Sequence, residues 1–189
     1  MKKTKTQKRP RWLEPRVAIL LDIVLEVAGE LKKPYAIGGA LAMAAHGYQR
    51  KTEDVDLFVE FKDRGAWLSA LRQRSLLVEP LFAGVQYVAK VPGETDPAIR
   101  IDVLVPAEEV ELSAIDVPDA MTIAGRPAEV FPLVLLIIAK YKSDRDKDHA
   151  DVKEMFERGM INVPEVLTVM RRVDEELAQR FVEQYGATS

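Results

Sequence analysis

Asp54 and Asp56 stand one residue apart at the head of an otherwise apolar run, "VDLFVE" at 55–60, which reads as a strand. Successive strand side chains alternate, so Asp54, Asp56 and Phe58 share one face and Val55, Leu57 and Val59 the other. Two carboxylates at i and i+2 stand roughly 6–7 Å apart along the backbone and repel unless a positive group lies between them. A divalent cation commonly fills that role. In isolation the pair suits equally well two solvated acids on an edge strand. Two further features narrow the reading. Gly38-Gly39 lies between the short strand "YAI" and a helical run from Ala40 to about His46. There, bare backbone N–H groups and a helix N-terminus would admit phosphate oxygens, although a Gly-Gly pair also makes a simple tight turn. Asp102, flanked by Ile101 and Val103, places a third acid in a second apolar strand. Three acids on neighbouring strands are expensive to keep together without metal. Two-metal phosphoryl or nucleotidyl transfer requires such a set, with ions roughly 3.5–4 Å apart.

The rest of the chain frames these strands. Apolar residues from Arg16 to Leu31 recur at helical spacing and predict an amphipathic helix, closed before Pro34. Residues 63–77 read as a surface helix, followed by strands at 84–91 and 99–105 and by a hairpin turning near Gly125-Arg126. From Leu133 onward the pattern is helical, with a break around Gly159 to Pro164. Strands early and helices late predict an α+β fold, a mixed β-sheet flanked by helices with a C-terminal helical lobe. The expected divisions are a basic disordered tail at 1–11, a core at 12–131 and the lobe at 132–189.

The ordered set Gly38, Gly39, Asp54, Asp56 and Asp102 resembles the nucleotidyltransferase superfamily that shares its catalytic core with DNA polymerase β. Within it, "GGALAMAAHGYQRKTEDVDLFV" is most similar to the bacterial branch of AbiEii-type toxins, whose members often carry an Arg-x-Thr before the acids, here Arg50 and Thr52. A later stretch, "AKYKSDRDKDHADV", is similar to that branch's Lys, Arg and Asp-x-x-Asp motif, matched by Lys140, Arg145, Asp148 and Asp151. These motifs anchor roughly residues 35–152. The resemblance implies transfer of a nucleoside monophosphate from an NTP to a hydroxyl, with Mg²⁺, or Mn²⁺, held by Asp54, Asp56 and Asp102. It implies nucleotide contacts from Gly38, Gly39, Arg50, Thr52, Lys140 and Arg145, an RNA acceptor such as the tRNA end, and a cognate antitoxin. An aminoglycoside-type antibiotic nucleotidyltransferase and a non-catalytic binding module share the same core. On residue grounds alone, Lys140 also suits a snorkelling lysine at a helix end, and the stretch 145–148 a solvated helix start. Arg50 suits either a structural pair with Glu53 or Asp54 or a bidentate phosphate contact.

Composition sets outer limits. Against 30 Asp and Glu stand 27 Lys and Arg, a net charge of −3, so a polyanion would have to meet a local patch such as the basic tail. The absence of cysteine excludes disulfides and thiolate metal sites. The apolar run after the tail is cut at Asp22 and Glu26, unlike a signal peptide, and "PLVLLIIA" at 132–139 is far shorter than the ~20 residues of a membrane span. A cytoplasmic protein without membrane contact is expected. His46 and His149 have no metal-ligand spacing, and Trp12 and Trp67 read as packing residues.

Overall fold

The computed structural model describes residues 10–82, 84–143 and 145–186. Most of the basic tail, residues 1–9, lies outside the described residues.

Helix α1 (Pro15–Leu31) opens with proline in its first turn, and the Glu14 carboxylate accepts the N–H groups of Arg16 and Val17. Proline's fixed φ and the side-chain cap both favour a helix start there. Its buried stripe of Val17, Leu20, Leu21, Val24 and Val27 packs under the sheet. Strand β1 (Tyr35–Ile37) leads through Gly38 into α2 (Gly39–Ala45) and then into β2 (Asp54–Val59). Burial along β2 alternates, with Val55, Leu57 and Val59 fully buried. The apolar face therefore packs on the core, as the sequence alternation requires.

After β2 come α3 (Arg64–Gln73), β3 (Leu77–Phe82), β4 (Gln86–Lys90), β5 (Arg100–Leu104), α4 (Glu109–Asp116) and the hairpin β6 (Asp119–Ile123) and β7 (Arg126–Val130). Four helices follow: α5 (Leu133–Lys142), α6 (Asp146–Glu157), α7 (Val163–Val173) and α8 (Glu175–Tyr185). The strands form a single mixed sheet in the order β3-β4-β5-β2-β1-β7-β6. The α+β class is thus the one expected. The hairpin turns on Ala124 and Gly125, both at positive φ, the backbone that two-residue hairpin turns require.

Two elements differ from the sequence expectation. The helix expected over 63–77 stops at Gln73, and 77–82 pairs with β4 as an edge strand despite Pro80. Proline is tolerated there because an edge strand leaves one row of N–H groups without a strand partner. The second is α4, eight residues between β5 and β6, which had not been expected. It carries Val110, Ala114 and Ile115 into the core. One apolar cluster runs from Leu13 to Tyr185 and joins the sheet to the C-terminal helices through Leu136, Ile137 and Ile138 of α5. Among the described residues no helix is long and apolar enough to cross a membrane.

Candidate active site

Strand β2 runs parallel to β5 with Asp54 opposite Arg100, Asp56 opposite Asp102 and Phe58 opposite Leu104. Parallel register puts directly opposed side chains on one face, so all three acids emerge together. Asp54, Asp56 and Asp102 each offer a carboxylate oxygen, and these oxygens all lie within 4.8 Å of one another. Burial pushes the Asp56 carboxyl up to about 7, helped by the negative charges of Asp54 and Asp102, while Lys140 and Arg145 pull the other way. The triad therefore holds charge that it cannot neutralise by itself. An all-oxygen set of this kind suits a hard cation such as Mg²⁺ or Mn²⁺, so the residues present fit a divalent metal.

The neighbours of the triad hold it in place. Arg100 Nε donates to both oxygens of Asp102, at 2.9 and 3.1 Å. The buried Thr52 hydroxyl lies 3.3 Å from Asp54 Oδ1 and 3.2 Å from the Asp54 carbonyl oxygen. At the start of α2, Gly39 has φ +56°, and a Cβ there would stand 1.7 Å from Asp56 Oδ2. A Cβ on Gly38 would reach 2.5 Å from the Phe58 ring, and the Gly38 N–H is already donated to the Asp56 carbonyl. The glycine pair is thus what lets the turn press against the second aspartate. First-turn amides of a helix have no partner within it, and α2 starts at this turn with no side-chain cap, beside Asp56.

A second charged group borders the first. Lys140, only 6% exposed, donates to Asp148 Oδ1 at 2.6 Å and to Asp151 Oδ2 at 2.9 Å. Arg50 Nε lies 3.0 Å from Asp151 Oδ1, and Arg145 Nε donates to Asp148 Oδ2 at 2.6 Å. Burial works to raise the Asp148 carboxyl, but the bonds from Lys140 and Ser143 and the charges of Lys140 and Arg145 outweigh it and hold the group below its ordinary value. Three cations against two carboxylates leave this group positive, next to a triad that is negative. Asp148 and Asp151 thus fix the cations on which the later motif depends.

Gly38, Gly39, Arg50, Thr52, Asp54, Asp56, Asp102, Lys140 and Arg145 all line one cavity of about 570 Å³. Arg100, Gln86 and Glu111 line it too and went unread in the sequence, and Lys147, from the stretch that also suits a solvated helix start, lines it as well. Arg100 carried a usable signal, since i−2 from Asp102 on a strand is the same face. Glu111 gave none, because its place depends on where α4 packs. His46 Nε2 lies 2.8 Å from the Phe131 carbonyl and the His149 ring packs edge-on against Tyr141, both packing roles. Trp67 is fully buried against Tyr35.

The fold is that of nucleotidyltransferases. The crystal structure of ANT(2'')-Ia in complex with adenylyl-2''-tobramycin superposes with a TM-score of 0.58 at 21% identity, over 88% of this chain and 97% of that one. An antigenic nucleotidyltransferase-like protein from Paracoccidioides brasiliensis gives 0.53 at 18% identity, covering 89% and 94%. The lincosamide antibiotic adenylyltransferase LnuA, with lincomycin bound, gives 0.52 at 12% identity, covering 79% and 99%. No protein-family model matches the sequence, and no curated protein does.

Proposed function

We propose that this protein is a divalent-metal-dependent nucleotidyltransferase that moves a nucleoside monophosphate from an NTP to a hydroxyl and releases pyrophosphate. The observation that carries the reading is the convergence of Asp54, Asp56 and Asp102 to within 4.8 Å beside a glycine turn and a net-positive group. Asp54, Asp56 and Asp102 would hold the metal, Mg²⁺ or Mn²⁺. Bound there, the cation supplies Lewis-acid polarisation of the phosphoryl and hydroxyl oxygens. Asp102, oriented by Arg100, takes the proton of the attacking hydroxyl. Amides at the start of α2, beside Gly39, face the phosphates, and Arg50, Lys140 and Arg145 offset their charge from a pre-assembled frame. Thr52 acts on the nucleotide through its hydrogen bond to Asp54.

For the acceptor we propose an RNA end and a place as the toxin of a toxin–antitoxin pair, supported by the resemblance of residues 35–152 to AbiEii-type toxins. A small-molecule hydroxyl is the second reading, favoured by the fold likeness to ANT(2'')-Ia and LnuA, whose complexes hold adenylyl-2''-tobramycin and lincomycin. Incubating the protein with each α-³²P-labelled NTP and Mg²⁺, with total RNA in one arm and tobramycin or lincomycin in another, tests both. A labelled tRNA-sized band supports the first reading and a labelled antibiotic the second. Free pyrophosphate in no arm would count against nucleotidyl transfer itself.

A further inference from the structure

The cavity has two ends of opposite character. Arg50 and Arg145 stand at one, linked through Asp151, Lys140 and Asp148. Along the sheet in the other direction, one strand repeat beyond the acids, the register places Phe58, Leu104 and Gln86 side by side on β2, β5 and β4. Phe131, its ring 4.6 Å from that of Phe58 and tilted by 52°, and Leu136 line the cavity beside them. Glu111 of α4 also lines the cavity, and its Oε2 is buried without a hydrogen-bond partner among the described residues. The nearby Lys142 ammonium is already donated to Glu108 at 2.7 Å. A buried carboxylate oxygen left without a donor is unfavourable, so such an atom marks a place where a ligand donor completes the bonding.

We propose that this end of the cavity is the nucleobase subsite, in which Glu111 accepts an N–H of a base bearing an exocyclic amino group while Phe58, Phe131 and Leu104 contact its faces. Apolar and aromatic side chains beside a buried carboxylate oxygen suit a planar heteroaromatic ring and exclude the triphosphate, whose charge the carboxylate repels. Gln86 supplies an amide on the same row, able to donate to or accept from the base edge. One strand repeat, roughly 6–7 Å, also separates this row from the acids, a span that a sugar bridges between phosphate and base. Uracil offers only its imide N3–H, flanked by two carbonyl oxygens that a carboxylate repels, and is the base the subsite disfavours. The inference rests on the proposed nucleotide reading and makes Glu111 a specificity residue with no part in the chemical step.

Calorimetric titration of the wild type, Glu111→Gln and Glu111→Met with ATP, GTP, CTP, UTP and inorganic tripolyphosphate, all with Mg²⁺, tests it. In the wild type at least one amino-bearing nucleotide should bind about tenfold or more tighter than UTP, the effect of one hydrogen bond to a charged acceptor. Glu111→Met should abolish that preference and the isosteric Glu111→Gln should weaken it, with tripolyphosphate affinity unchanged in both. Equal wild-type affinity for all four nucleotides, or a preference kept by both variants, overturns the subsite. A wild type that binds neither nucleotide nor tripolyphosphate defeats instead the nucleotide reading on which it rests.

Discussion

At the level of single residues, the cost of crowding three carboxylates is measurable through pH. The Asp56 carboxyl is raised to about 7, above its ordinary 3.8, mainly by burial and then by Asp54 and Asp102. A group raised in the folded state binds its proton more tightly there than in the unfolded chain. Its stabilising share is therefore complete below the ordinary value and is lost as pH rises through 7. In EDTA the wild type should melt higher at pH 5 than at pH 8, by an amount worth about 2 kcal/mol. Asp56→Asn should flatten that dependence, and equal slopes in the two proteins would place the strain elsewhere. Asp148, held low, loses its contribution only in the acid range below ordinary carboxylate values and leaves this window undisturbed. Gly39 carries a second residue-scale expectation. Alanine there meets both a left-handed backbone, which costs roughly 1–2 kcal/mol, and the Asp56 carboxylate itself. Gly39→Ala should lower the melting temperature and abolish Mg²⁺–ATP binding; calorimetry showing wild-type affinity would separate the turn from the site.

Among elements, α5 and α6 are joined by a buried ion group, and its members should differ sharply. Removing Asp148 leaves the buried Lys140 with Asp151 alone, a carboxylate it shares with Arg50, so Asp148→Ala should cost about 3 kcal/mol in urea unfolding. Arg145 reaches the same carboxylate from solvent, its side chain 66% exposed, and Arg145→Ala should cost under about 1 kcal/mol. Similar losses for the two variants would contradict a buried Lys140–Asp148–Asp151 group. This arrangement also shows where the sequence ceased to be legible. Strand β2 and its faces follow from alternation, and the hairpin near Gly125 from turn chemistry. Lys140 read as a free cation, because its partners lie 8 and 11 residues on, across a helix boundary that spacing alone does not fold back. Strand β3 was hidden by Pro80 and Glu79 in a mostly exposed edge, and α4 by being only eight residues long.

Over the whole molecule, a net charge of −3 conceals a strongly polarised cavity, with an acid triad between a cationic frame and an apolar end. The three acids and the glycine pair were legible in sequence because each sits on a short element whose periodicity is fixed. Glu111 and Gln86 were not, since they join the site only once β4 and α4 are assembled beside β5 and β2. The overall fold is common to the chain and to proteins sharing 21% or less of its sequence, as the superpositions on ANT(2'')-Ia and LnuA show. Conversion by the triad is the central claim. Its direct measurement is pyrophosphate release from each NTP with Mg²⁺ and the acceptor found active, comparing wild type with Asp56→Asn at equal folded concentration. Metal-dependent release by the wild type and a loss of about a hundredfold or more in the variant are expected, in line with the several kcal/mol that such groups give a transition state. Release by Asp56→Asn at more than about a tenth of the wild-type rate, where the same scale predicts near silence, would contradict that claim.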